Sequence, residues 1–131
     1  MEKQYLDYLS AFIHKAKRER LIYELQSKKR ENAFYKMAHF FENIFDKGNV
    51  VEDLSSLDDA QAVERVRKIV GDATCYNVRT EEMMPVEKAY IQAVNSCLCN
   101  ILVVDKTVVI YVGECEVGAS TKYILKRVNK V

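Results

Sequence analysis

The sequence predicts an α+β fold in which N-terminal helices pack on a C-terminal antiparallel β-meander. Apolar residues recur at helical spacing in residues 1–71, whereas Val, Ile and Tyr concentrate in short runs within residues 72–131. The chain of 131 residues is 49% hydrophobic and contains only four Gly and one Pro. Such a chain can bury a core, so residues 1–131 are expected to form a single domain with a mainly helical half and a mainly β half.

The first helix is expected to begin near Glu2. The segment after His14 contains no helix breaker as far as Gln26 and is rich in Lys, Arg, Glu and Leu. The helix can therefore continue to Leu25, with Ser27 ending it. Its apolar stripe consists of Tyr5, Leu6, Leu9, Phe12 and Ile13.

Two further helices are predicted in the first half of the chain. The second spans about 28–46 and ends at Gly48. The third follows Ser56, whose hydroxyl is expected to cap the amide of Asp59, and it ends at Gly71. The stripe of the second helix consists of Phe34, Met37, Phe41, Ile44 and Phe45, and that of the third consists of Ala62, Val63, Val66, Ile69 and Val70.

The next segments mix strand and helix signals. Residues 73–78 favour a short strand, and a polar connection is expected over 79–84. Residues 85–95 begin with the only proline and have the apolar spacing of a helix, although the tyrosine and isoleucine in their middle would also suit a strand. The helix is the preferred interpretation.

The C-terminal β-meander should contain three strands. Residues 97–104 and 107–112 are expected to form a hairpin around an Asp-Lys turn. A connection bracketed by Gly113 and Gly118 follows, and residues 121–128 supply the last strand. The helices are expected to cover one face of this sheet.

Charge and hydropathy narrow the functional classes. The formal net charge is +1, so no global field draws the chain onto nucleic acid or an anionic membrane. The longest apolar run lies within residues 101–112, is interrupted by charges and is too short to span a bilayer. The first residues lack the pattern of a secretory signal. A cytoplasmic protein with four reduced cysteines and no membrane contact is therefore expected.

Residues 15–30 hold the most distinctive pattern, two clusters of basic side chains. The members are Lys15, Lys17, Arg18, Arg20, Lys28, Lys29 and Arg30. Glu19 and Glu24 offset only part of this charge, so an acidic protein or a phosphate backbone could dock there, and solvated helix faces are the other explanation. Tyr23 and Tyr35 lie off the predicted stripes and are candidate contacts, because Tyr buries a rigid ring while keeping a polar tip.

Together with the following segment NAFYKMAHFFENIF, the basic block resembles small bacterial immunity proteins that protect a cell against a contact-dependent or secreted nuclease toxin. The resemblance covers residues 10–45 and implies a stoichiometric inhibitor without an active site. Familiar nuclease inhibitors are often strongly acidic, and a net charge of +1 departs from that pattern. Glu52 and Asp53 form a local acidic stretch that could still contact a toxin.

Sequence motifs for catalysis or cofactor binding are absent. His39 and Glu42 could share a helix face as a base with its orienting carboxylate, but a partly buried, hydrogen-bonded histidine is the preferred interpretation. Cys97 and Cys99 should point to one face of a strand and could bind zinc with Cys115, yet small buried hydrophobes are preferred. No cofactor or metal is expected.

The sequence thus predicts a protein-binding module, in particular an immunity or antitoxin-type inhibitor that occludes a partner toxin domain and is not itself an enzyme. A nucleic-acid-binding domain that uses residues 15–30 is the alternative. The candidate partner-binding residues are Arg18, Arg20, Tyr23, Lys28, Lys29, Arg30, Tyr35, Glu52 and Asp53.

Overall fold

A computed structural model describes residues 2–115 and 120–127 and confirms the α+β class. In this part of the chain no helix combines the length and the apolar character needed to cross a membrane. Its α-helices are α1 (Lys3–Ser10), α2 (Lys15–Leu25), α3 (Arg30–His39), α4 (Phe41–Ile44), α5 (Asp59–Val70) and α6 (Val86–Ser96). Its strands are β1 (Val50–Asp53), β2 (Thr74–Asn77), β3 (Glu82–Pro85), β4 (Asn100–Val103), β5 (Val108–Val112) and β6 (Lys122–Lys126).

These strands form one antiparallel sheet in the order β1-β6-β5-β4-β2-β3. The predicted meander is β4, β5 and β6, in which Leu102 pairs with Ile110 and Ile110 pairs with Ile124. The first half of the chain adds β1 beside β6, with Asp53 opposite Tyr123. The hairpin of β2 and β3 extends the other edge through the pairing of β2 with β4.

Helices cover both faces of the sheet, and not the single face expected from the sequence. Ile101 and Val109 belong to a core that they share with α1, α2, α3 and α4. Leu102 and Ile110 belong to a second core with α5 and α6. Successive strand residues point to opposite faces of the sheet. Since helices cover both faces, the residues on each face of β4 and β5 are buried.

The first predicted helix is divided into α1 and α2. The segment between them bonds to a part of the chain about thirty residues away: the amide of His14 donates to the carbonyl of Ile44 over 2.8 Å, and Ile13 forms a β-bridge with Phe45. These tertiary hydrogen bonds replace the helical ones that the sequence would allow. The expectation of a continuous helix to Leu25 is therefore wrong.

The second predicted helix also divides, at Phe40. The backbone of Phe40 has φ −130° and ψ 43°, which lies outside the helical region, so α3 ends at His39 and a single turn, α4, follows. Ile44 and Phe45 are nevertheless buried as the predicted stripe requires. Gly48 lies in the short 3₁₀ helix that follows α4.

The third predicted helix is confirmed as α5, but its N-terminal cap differs. Asp58 caps it in place of Ser56: Oδ1 of Asp58 accepts from the amide of Gln61 at 2.8 Å, and the Gln61 side chain accepts in return from the amide of Asp58. This is a reciprocal capping box. Gly71 ends the helix with a φ of 64°, as its position predicts.

Helix α6 confirms the helical interpretation of residues 85–95. The sequence did not predict β1, nor β3, which lies largely within the expected polar connection at 79–84. Cys97 ends α6 with a φ of 57° and so does not begin a strand. Gly118 and Val128, assigned to a connection and to the last strand, lie outside the described residues.

Candidate functional site

The predicted basic block does not form one continuous surface, because two of its arginines bind within the fold. Nη2 of Arg18 donates to the carbonyl of Ile13 over 3.1 Å. Nη2 of Arg30 donates to the carbonyl of Val78 over 2.9 Å, and its Nη1 lies 3.1 Å from Oε2 of Glu81. Both arginines thus stabilise the contact of their helices with neighbouring segments. The sequence alone did not predict these contacts.

The other predicted basic and aromatic contacts of this block are exposed. On α2, the guanidinium of Arg20 lies 5.9 Å from the ring centroid of Tyr23, within the range of a cation–π contact. Lys28 and Lys29 lie in the turn before α3 and are also exposed. Arg20 and Tyr23 therefore present one aromatic and one cationic group side by side.

A cleft of about 440 Å³ opens between α2, α3 and α4. Three cationic side chains line it, those of Lys17, Arg20 and Lys36. Its apolar lining includes Leu21 and Ile44, which are buried. The cleft therefore combines positive charge with an apolar wall, a combination that suits an acidic group carried on an apolar body.

The buried carboxylate of Glu24 holds two of these cations. Oε1 of Glu24 accepts from Nε of Arg20 at 3.2 Å and from Nζ of Lys36, while Oε2 has no hydrogen-bond partner among the described residues. Burial alone would raise the pKa of Glu24, but the hydrogen bonds and charges of Lys36 and Arg20 outweigh burial and lower it. The sequence indicates Glu24 only as a partial offset of the neighbouring basic charge. The sequence signal for its burial is its place between Leu21 and Leu25 on the apolar stripe of α2.

Exposed aromatic rings border this cleft. Phe40 lines it, and the ring centroid of Phe40 lies 6.3 Å from that of Tyr35. The exposed fractions are 59% for Tyr23, 55% for Tyr35 and 48% for Phe40. Contacts therefore run without interruption from Tyr23 through Arg20 and the cleft to Phe40 and Tyr35. We name this the aromatic–basic surface, formed by Arg20, Tyr23, Tyr35, Lys36 and Phe40.

A second cleft of about 350 Å³ adjoins the first, since Phe40 lines both. His39 also lines it, and Nε2 of His39 lies 2.6 Å from Oε1 of Glu114. Glu42 instead accepts from Nζ of Lys47 over 2.8 Å. The pairing of His39 with Glu42 that the sequence allowed does not form, because the helix is broken between them.

Glu52 and Asp53 belong to the edge strand β1, where both have partners within the fold. Oε1 of Glu52 lies 3.5 Å from Nη1 of Arg65, and Oδ1 of Asp53 accepts from the amide of Ser55 over 2.9 Å. Neither residue lines the cleft of the aromatic–basic surface. These two predicted contacts are thus not brought together with those on α2 and α3.

The cysteines divide into two classes. Cys97 and Cys115 form a disulfide, so the expectation of reduced thiols is wrong for this pair. The turn that ends α6 brings their Cα atoms to 4.6 Å, and the amide of Cys115 donates to the carbonyl of Cys97. Both are exposed, so the expectation of small buried hydrophobes is wrong for this pair and confirmed only for Cys99. Cys75 is buried as well, and burial raises the pKa of the Cys75 and Cys99 thiols to about 12. No group of three potential metal ligands occurs in the described part of the chain.

The structure therefore joins three of the predicted contacts, Arg20, Tyr23 and Tyr35, into one surface. The structure adds Lys36 and Phe40, which the sequence did not single out. Phe40 is exposed because the helix breaks there, and Lys36 reaches the surface's cleft because it pairs with Glu24. Comparisons of the chain with protein-family models, with curated proteins and with solved structures found no match.

Proposed function

We propose that the chain is a protein-binding module that docks through the aromatic–basic surface onto an acidic region of a partner protein. The single observation that carries this proposal is the uninterrupted run of exposed rings and cations around the cleft between α2, α3 and α4. Tyr and Arg are among the side chains most often responsible for affinity in protein interfaces. The concave apolar cleft beside them can receive a side chain of the partner.

The charge of this surface selects the partner. Lys17, Arg20 and Lys36 line the cleft, and the carboxylate of Glu24 compensates only part of their charge. Complementary charge accelerates association and disfavours partners with a basic docking face. The partner is therefore expected to present carboxylates next to apolar groups.

A narrower form of the proposal is an immunity or antitoxin-type inhibitor that acts by covering a toxin domain. The resemblance that suggests this class extends over residues 10–45, and the aromatic–basic surface lies wholly within that range. An inhibitor of this kind needs a docking surface and no reaction centre, which agrees with the absence of catalytic sequence motifs.

The alternative, a nucleic-acid-binding domain, receives less support. Nucleic-acid binding would need a continuous basic face over residues 15–30, whereas Arg18 and Arg30 donate hydrogen bonds to backbone carbonyl groups of the chain itself. Affinity for a phosphate backbone grows with the number of cations that reach it, so the loss of two weakens this function.

Capture of the partner from an extract of the native host tests the proposal. The full chain is immobilised beside a double variant, Tyr23→Ala with Phe40→Ala, and a matched control, Lys68→Ala with Lys88→Ala, which changes two exposed residues of α5 and α6. We expect one protein, such as the product of a neighbouring gene, to bind the wild type and the control in a fixed ratio and to bind the Tyr23 and Phe40 variant at least about tenfold more weakly. Equal capture by all three, or no stoichiometric partner at low salt, would overturn the proposal.

A further inference from the structure

We propose that the cleft between α2, α3 and α4 is a carboxylate pocket that receives an acidic side chain of the partner, with Glu24 as the residue that positions its cations. This inference rests on the proposed docking function and makes it specific. It assigns Arg20 and Lys36 as the groups that contact the incoming carboxylate. Glu24 is a positioning residue, because it acts through those two side chains.

The charged groups at the cleft do not balance. Three cations line the cleft, and the carboxylate that contacts two of them, Arg20 and Lys36, is that of Glu24. The group therefore carries an excess of positive charge at the mouth of a concave site. An incoming carboxylate restores the balance, and its hydrogen bonds to ionised donors are among the stronger ones that proteins make.

Burial of the Glu24 carboxylate carries an energetic cost. Its side chain has no exposed surface, and its Oε2 has no hydrogen-bond partner in the described residues. An apolar side chain of similar size would join α2 to α3 without the desolvation penalty of a buried ion. A buried carboxylate in this place is better explained by what it does to its neighbours, since one oxygen draws Arg20 and Lys36 to the same point.

Glu24 orients the side chain of Arg20. Its Nε donates to Glu24, which fixes the plane of the guanidinium while most of the side chain stays exposed. No hydrogen bond to the described residues occupies its two terminal Nη groups, and such a pair of donors suits the paired oxygens of a carboxylate. Pre-ordering of this kind lowers the entropy that is lost on binding.

The apolar wall distinguishes an acidic side chain from a phosphate backbone. Leu21 and Ile44 line the cleft, and Phe40 adds a ring at its rim. A volume of about 440 Å³ admits a carboxylate together with an apolar neighbour of the same peptide. A nucleic-acid strand would instead require cations arranged along an extended path.

A phage-displayed library of random twelve-residue peptides, selected on the full-length chain, tests the pocket. We expect selected peptides to contain Asp or Glu beside Leu, Phe or another apolar residue. Replacement of that acidic residue by its amide should weaken binding by about tenfold to a hundredfold, the value of a charge-assisted hydrogen bond. Arg20→Gln and Lys36→Gln should each cause a similar loss, and Lys106→Gln, an exposed change in the turn between β4 and β5, should cause none.

Glu24→Gln separates positioning from mere support of the fold. The variant should lose affinity for the acidic peptide and leave unchanged the weaker affinity for the peptide's amide analogue, whereas a general structural defect would lower both. Equal losses for the two peptides would overturn the role of Glu24.

The outcomes also separate this inference from the proposed function. Selected peptides that require Tyr23 and Phe40 but show no acidic preference would support the docking function and contradict the carboxylate pocket. Peptides that bind independently of Tyr23 and Phe40 would remove both. Displacement of an acidic peptide by a random-sequence DNA duplex, with the same dependence on Arg20 and Lys36, would overturn the pocket in favour of nucleic acid.

Discussion

Removal of the charge of Glu24 should destabilise the fold by an amount that can be worked out from its surroundings. In Glu24→Gln, two charge-assisted hydrogen bonds lose their ionised acceptor, and each such bond contributes about 1.5–3 kcal/mol. The side chains of Arg20 and Lys36 are 63% and 38% exposed, so both cations remain hydrated without Glu24 and the lower end of that range applies.

An opposing effect reduces the loss. Glutamine does not carry the desolvation penalty of a buried carboxylate, and its amide oxygen can still accept both hydrogen bonds, although each is weaker without an ionised acceptor. We therefore expect Glu24→Gln to lower the free energy of unfolding by about 1–2 kcal/mol at pH 7. Glu19→Gln, an exposed change on the same helix, is the matched control and should alter it by less than about 0.5 kcal/mol.

The dependence on pH gives this prediction a second readout. The pKa of Glu24 is lowered from its ordinary value of 4.5. A carboxyl group with a lowered folded pKa contributes stability above its unfolded pKa and loses it as the pH falls through the folded pKa. The difference between wild type and Glu24→Gln should thus be complete at pH 7 and shrink below pH 4.5.

Urea unfolding, followed by far-ultraviolet circular dichroism at pH 7 and at pH 3.5, measures both quantities. A midpoint for Glu24→Gln that equals or exceeds that of the wild type at pH 7 would refute the reasoning. A gap of the same size at both pH values would mean that the charge of Glu24 is not its source.

Three further changes test other parts of the structure by the same urea assay. Cys97→Ser should lower the free energy of unfolding by about 3 kcal/mol, because the disulfide closes a loop with a sequence separation of 18, and a reductant should have no further effect on this variant. Asp58→Ala should cost about 1 kcal/mol through loss of the capping box, while Ser56→Ala should cost almost nothing; the reverse order would contradict the observed cap. Gly113→Ala should lower the free energy of unfolding by about 1–3 kcal/mol, since the alanine Cβ would lie 2.9 Å from the carbonyl oxygen of Thr121. An unchanged urea midpoint would contradict this close approach of the two backbones.

Local patterns in the sequence predicted those elements whose hydrogen bonds are also local. Helix α5 has an uninterrupted apolar stripe and a terminal Gly71, so its existence and end were predictable. The hairpin of β4 and β5 was predictable because two apolar runs flank a short turn. The cap at Asp58 was missed because Ser56 and Asp58 are both good capping residues, and only the observed turn distinguishes them.

The remaining features depend on contacts between distant segments. Nothing near His14 interrupts a helical pattern, and the break exists because its amide bonds to the carbonyl of Ile44. Strand β1 reads VVED, which becomes a strand only by pairing with β6. In the candidate site, residue type identified Arg20 and Tyr23, whereas the parts played by Glu24 and Phe40 require the arrangement of α2 beside α3.

Hydroxyl-radical footprinting of the chain, alone and bound to its captured partner, tests most directly whether the aromatic–basic surface is the docking surface. The side chains of Tyr23, Tyr35 and Phe40 are exposed and reactive, and Met83 and Leu98 are exposed to a similar degree elsewhere in the fold. We expect the partner to protect the three aromatic rings and to leave Met83 and Leu98 as reactive as before. Protection of Met83 or Leu98, with the three rings unchanged, would contradict it.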